Sequence, residues 1–98
     1  MKPTFDDALH RYVQGVQKLC DDAQLTGGCH VYFTRGIRYV RVIKRWGNQD
    51  TVHSFVQIDN GDVLKAEGWK GPAMHARGSI YDKWNGLSRV KWTGPEYL

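Results

Sequence analysis

Apolar side chains recur at spacings of three and four near the start of the chain: Phe5, Leu9, Val13, Val16, Cys20 and Ala23, with Tyr12 and Leu19 widening the stripe. That period predicts an amphipathic helix over residues 4–25. Thr4, followed by Asp7, is a capping-box-like start, and Asp6 and Asp7 suit the positive end of the helix dipole. Gly27-Gly28 is the expected stop.

From Cys29 the period changes to two. His30–Thr34 is rich in β-branched and aromatic residues and predicts a strand. Arg35-Gly36 is a tight-turn candidate. Ile37–Arg45 predicts a longer strand, with Ile37, Tyr39 and Ile43 on one face and Val40 and Val42 on the other. After a loop over 46–50, Thr51–Ile58 and Val63–Ala66 predict two more strands, joined through Asp59-Asn60-Gly61-Asp62, a strong hairpin signal. Pro72 is tolerated at the first position of a helix and predicts a short helical turn over 73–78. Asn85-Gly86 marks a turn, and Ser88–Trp92 a last short strand. The short connections imply an antiparallel meander. The expected fold class is α+β: one domain over 1–98, with the N-terminal helix packed on a four- to five-stranded antiparallel sheet and a short helical turn after the fourth strand.

Ninety-eight residues allow one modest core. Hydrophobic content of 41% and charged content of 24% fit a folded chain and exclude an intrinsically disordered one. No apolar run reaches the length of a membrane span, the N-terminus lacks the apolar core of a signal peptide, and two cysteines make no disulfide framework. A reducing cytoplasm is the expected compartment, and no membrane partner is expected.

The net charge of +4 is uneven. Residues 30–58 hold five basic groups, Arg35, Arg38, Arg41, Lys44 and Arg45, against the single acidic Asp50. This basic strand is a candidate nucleic-acid contact. Its charges are split in parity between the two faces, which weakens the case for one clean polyanion platform; solvated charge on an open face is the plainer alternative.

The segment from Lys65 to Tyr81 carries a second constellation. Trp69 offers a flat face for stacking a base, Arg77 a planar fork that matches phosphate oxygens, and Lys65, Lys70 and His75 further polar groups. Gly71 and Gly78 let backbone approach a ligand closely. Together these five side chains form a candidate site for an anionic, ring-containing ligand. The plainer alternative is that Trp69 caps the sheet edge while Lys70 and Arg77 are solvated.

The histidines have no His or Cys partner at a metal-ligand spacing, so neither a metal nor another cofactor is expected. Cys29 has no marked base and orienting group, and there is no phosphate-binding loop or nucleophile elbow. The sequence therefore points to binding rather than catalysis.

Gly61-Asp62-Val63-Leu64-Lys65-Ala66, Trp69-Lys70, Pro72-Ala73 and His75-Ala76-Arg77-Gly78 resemble a motif common in small tailed-bacteriophage proteins, with Met74 standing where the motif carries Lys. The resemblance covers residues 30–82. It implies a phage origin, expression in the cytoplasm of an infected bacterium and no particular activity. Small non-enzymatic phage proteins often act against host defence, by sequestering a nucleotide signal or blocking a host protein. The leading expectation is thus a phage-encoded binder of a nucleotide-like anion. Single-stranded or duplex nucleic-acid binding on the basic face and inhibition of a host enzyme stand beside it, with a host defence protein as a partner and a homo-oligomer left open.

Overall fold

The computed structural model describes residues 4–95. Helix α1 spans Phe5–Asp22, and the Thr4 side chain accepts a hydrogen bond from the Asp7 N–H at 3.2 Å. The helix stops earlier than Gly27-Gly28 would place it. Ala23 caps it and Gln24 takes the left-handed turn, at φ 53°.

Five strands follow as an antiparallel meander in sequential order: β1 (Cys29–Arg35), β2 (Tyr39–Trp46), β3 (Gln49–Gln57), β4 (Asp62–Ala66) and β5 (Pro72–Ser79). A two-stranded ribbon, β6 (Val90–Lys91) and β7 (Gly94–Pro95), completes the described fold, so the expected last strand shrinks to two residues. The architecture is α+β, as the periodicities imply.

Two sequence expectations are corrected. The segment after Pro72 is strand β5 rather than a helical turn. It pairs with β4 through Ala66–Pro72, Leu64–Ala76 and Asp62–Ser79, with register shifts between these pairs. The free edge of β4 supplies backbone partners, which outweigh the weak local helical signal of Met74-His75-Ala76-Arg77. Ile37 is not a strand residue either. It tips the β1–β2 turn, closed by Gly36 N–H donating to Tyr39 O at 2.9 Å, and is 98% exposed.

The core lies between α1 and one sheet face. Leu9, Tyr12, Val16 and Cys20 meet Val31, Val40, Val42, Val56 and Val63, with Ile80 and Val90 closing the end. Each buried aliphatic side chain contributes roughly 1.5–3 kcal/mol. Gly15 lets the helix approach Leu87, whose side chain would overlap any Cβ at that position. At the sheet edge the Gln17 amide acts as a substitute strand. Its Oε1 accepts from Val31 N–H at 2.8 Å and its Nε2 donates to Cys29 O at 2.7 Å.

A polar chain crosses this core. Between Val42–Ser54 and Ile43–Val52 the β2–β3 register shifts, leaving His53 as the extra residue of a bulge. His53 Nε2 lies 2.8 Å from Lys91 O, Nδ1 2.8 Å from Ser54 Oγ, and Ser54 Oγ 2.6 Å from Tyr12 OH. A carbonyl only accepts, so Nε2 donates and Nδ1 of the neutral ring accepts from Ser54, which in turn accepts from Tyr12. Burial pulls His53 down to about 4.

Candidate functional site

The opposite sheet face has no helix over it, yet three of its apolar residues are covered. Along β2 the pleat sends Tyr39, Arg41, Ile43 and Arg45 to this side. The register sets Phe55 and Leu64 beside Arg41 in one cross-strand row. Ile43, Phe55 and Leu64 are each only 2% exposed and lie outside the helix-side cluster. Beside them the 67–71 loop closes on itself, as Glu67 N–H and Gly68 N–H both donate to Gly71 O, at 3.1 and 3.2 Å. The loop is pinned to the sheet by Arg41. Its Nε donates to Trp69 O at 2.9 Å, and its guanidinium carbon sits 5.1 Å from the Trp69 ring centre and 5.8 Å from that of Phe55. At the other margin, Tyr39 OH donates to Met74 Sδ at 3.9 Å.

This packing joins parts of the two constellations read from the sequence. A groove of about 380 Å³ opens where the β1–β2 turn meets the 67–71 loop. Arg35, Arg38, Arg41 and Lys70 line it, with Tyr39 and Phe55, and among the described residues no acidic one does. Arg35 is partly spent: its Nη1 is 3.1 Å from Asp6 Oδ1 and its guanidinium lies 5.3 Å from the Phe5 ring. Among the described residues Arg38, Arg41 and Lys70 form no ion pair. The Nη hydrogens of Arg41 likewise have no acceptor there. Trp69 stands beside the groove, 47% exposed.

The remaining candidates go elsewhere. Arg77 is buried, 6% exposed, and its Nη1 donates to His75 O. The segment is a strand rather than the expected helical turn, and it holds Arg77 inside instead of beside Trp69. Lys65 is half-buried, with Nζ donating to Pro95 O at 3.0 Å. His75 is exposed on β5 and does not line the groove. Lys44 belongs to the helix side, where its Nζ lies 3.5 Å from Trp92 O and 4.5 Å from the Trp92 ring centre. Arg45 is 4.0 Å from Asp50. Of the five basic residues of the strand region, Arg38 and Arg41 thus keep their charge available in the groove. Tyr39 and Phe55, its aromatic lining, were not singled out from the sequence. Their signal was there: Tyr39 shares parity with Arg41, and Phe55 sits in the strand that pairs with it.

Cys20 is buried on the helix side. Burial, reinforced by hydrogen bonding to Cys29, pushes the Cys20 thiol up to about 12. Among the described residues, no helix is long and apolar enough to cross a membrane.

A sheet face carrying a basic, aromatic-lined groove, opposite a helix-covered core, defines the general type of domain. The chain itself belongs to a family of unknown function, DUF7717, whose model matches residues 5–98. No curated protein and no solved structure matches it.

Proposed function

We propose that this chain is a non-enzymatic binding protein for an anionic, nucleotide-like ligand. Phosphate oxygens lie on Arg38, Arg41 and Lys70, and a ring stacks at Trp69. The observation that carries this reading is the Arg41–Trp69 contact, which sets an exposed indole beside a groove lined by Arg38, Arg41 and Lys70, none of them ion-paired among the described residues. Arg41 is held in place before any ligand arrives. One donor and one edge of its guanidinium are fixed, so little rotamer entropy remains to be lost on binding. The groove supports a compact ligand better than a long polyanion, because Arg35, Lys44 and Arg45 are each engaged elsewhere. The phage-protein motif supports a role in an infected bacterial cytoplasm, where sequestering a nucleotide signal would counter host defence.

Native mass spectrometry of protein purified from cells tests this. A retained small anion is expected, or one taken up on adding a nucleoside diphosphate, and it should be lost in Arg41→Ala/Lys70→Ala. A protein that neither retains nor takes up such a molecule contradicts the reading.

A further inference from the structure

Trp69 borders a second recess. It has about 340 Å³, within the range of roughly 300–1,000 Å³ typical of small-ligand sites, and is lined by Asp50, Val52, Ala66, Glu67 and Trp69. Its electrostatics are the reverse of the groove's. Two acidic residues, Asp50 and Glu67, are among its lining, while Arg38, Arg41 and Lys70 line the neighbouring groove, joined to it through the Arg41–Trp69 contact and the adjacent Lys70. Asp50 is already engaged, 4.0 Å from Arg45 and in contact with the Tyr32 hydroxyl, which leaves Glu67 as the available acceptor. Glu67 is exposed and forms no ion pair among the described residues.

An ionised carboxylate only accepts hydrogen bonds. A ring offered to this recess must therefore present N–H groups on its edge, and two adjacent ones match two carboxylate oxygens. Among the common bases guanine has that edge, N1–H beside the N2 amino group. Adenine and cytosine pair one amino donor with a ring-nitrogen acceptor, which a carboxylate repels. Uracil has one N–H between two carbonyls. Val52, Ala66 and the indole supply apolar contact for a ring face. The charge order of the site also fixes direction: the phosphates are drawn to the basic groove and kept from the acidic recess.

We infer that the recess beside Trp69 takes the base of a guanine nucleotide, with the Glu67 carboxylate on its N–H edge and its phosphates on Arg38, Arg41 and Lys70. This rests on the anion-binding reading above and adds to it the identity of the base.

Calorimetric titration of the full chain with GDP, IDP, ADP, CDP and inorganic pyrophosphate separates the two. GDP is expected to bind at least about tenfold tighter than ADP or CDP, as a bidentate base contact gives. IDP should fall between, since its base lacks the N2 amino group. In Glu67→Gln, whose folding is checked by thermal melting, the GDP-to-ADP ratio should move toward one. Equal affinities for the four nucleotides with pyrophosphate also bound, or a ratio unmoved by Glu67→Gln, overturn the base assignment and leave the anion groove standing. Failure of all five to bind overturns both.

Discussion

Arg41 Nε donates to the Trp69 carbonyl at 2.9 Å while the guanidinium sits 5.1 Å from the centre of the Trp69 ring. One strand residue thereby fixes the backbone and the side chain of a loop 28 positions away in sequence. The same guanidinium lies 5.8 Å from the Phe55 ring centre, so one arginine joins the loop to the apolar row of the open sheet face.

Removing the indole should separate binding from folding. Trp69 is 47% exposed, and an exposed cation–π contact contributes roughly 0.5–1 kcal/mol. Trp69→Ala is expected to lower stability by about 1 kcal/mol and to weaken nucleotide binding at least tenfold, as loss of a stacked base contact implies. Thermal melts and calorimetry check both. A collapsed melt would show that Trp69 is a structural keystone rather than a ligand platform.

Arg77 should behave in the opposite way. It is buried and hydrogen-bonded to a backbone carbonyl, and such charge-assisted bonds contribute about 1.5–3 kcal/mol. Arg77→Ala is expected to cost stability on that scale in urea unfolding. At temperatures where the variant is folded, its nucleotide affinity should stay within about twofold of the parent. Selective loss of affinity with full stability would return Arg77 to the binding surface.

His53 makes stability depend on pH. Its folded value, about 4, lies below the ordinary 6.5, so the unfolded chain takes up a proton first. The contribution is complete above about pH 6.5 and is lost as pH falls toward 4, with a total on the order of 3 kcal/mol. Unfolding free energies measured across this window should fall in the parent chain and be flatter in His53→Gln. Equal slopes would mean that other groups set the acid response.

Gln17 guards a sheet edge. Its amide occupies Cys29 O and Val31 N–H of β1, which would otherwise be open to pairing with another chain. Gln17→Ala is expected to destabilise by about 1–2 kcal/mol, two modest hydrogen bonds, and to increase self-association in sedimentation velocity. A variant as monodisperse and stable as the parent would contradict this.

Much of the fold was legible in the sequence because its signals are local. The three-and-four spacing from Phe5 to Cys20 gives the helix face, and the alternation of Val40 and Val42 with Tyr39, Arg41 and Ile43 gives the two faces of β2. Strand β5 was hidden because Pro72, Ala73, Met74 and Ala76 carry no β preference, and the shifted register erases any period of two. Its conformation comes from β4, not from its own side chains. The candidate site was half legible. Trp69, Lys70, Arg38 and Arg41 were identified as candidates, but as two separate groups, since only the folding of the 67–71 loop onto β2 joins them. Local composition around Arg77 and Lys65 could not reveal that one is buried and the other reaches the backbone at Pro95.

The most direct measurement is a two-dimensional 1H–15N NMR titration of the full chain with GDP. Binding in the proposed groove should move the amides of Gly36 to Arg41 and of Trp69 and Lys70, together with one of the four tryptophan indole signals, that of Trp69. The indoles of Trp46, Trp84 and Trp92 should stay in place. Shifts centred on Lys44 and Trp92, or a spectrum unchanged at millimolar ligand, would contradict the assignment of the Arg38–Arg41–Lys70 groove as the binding site.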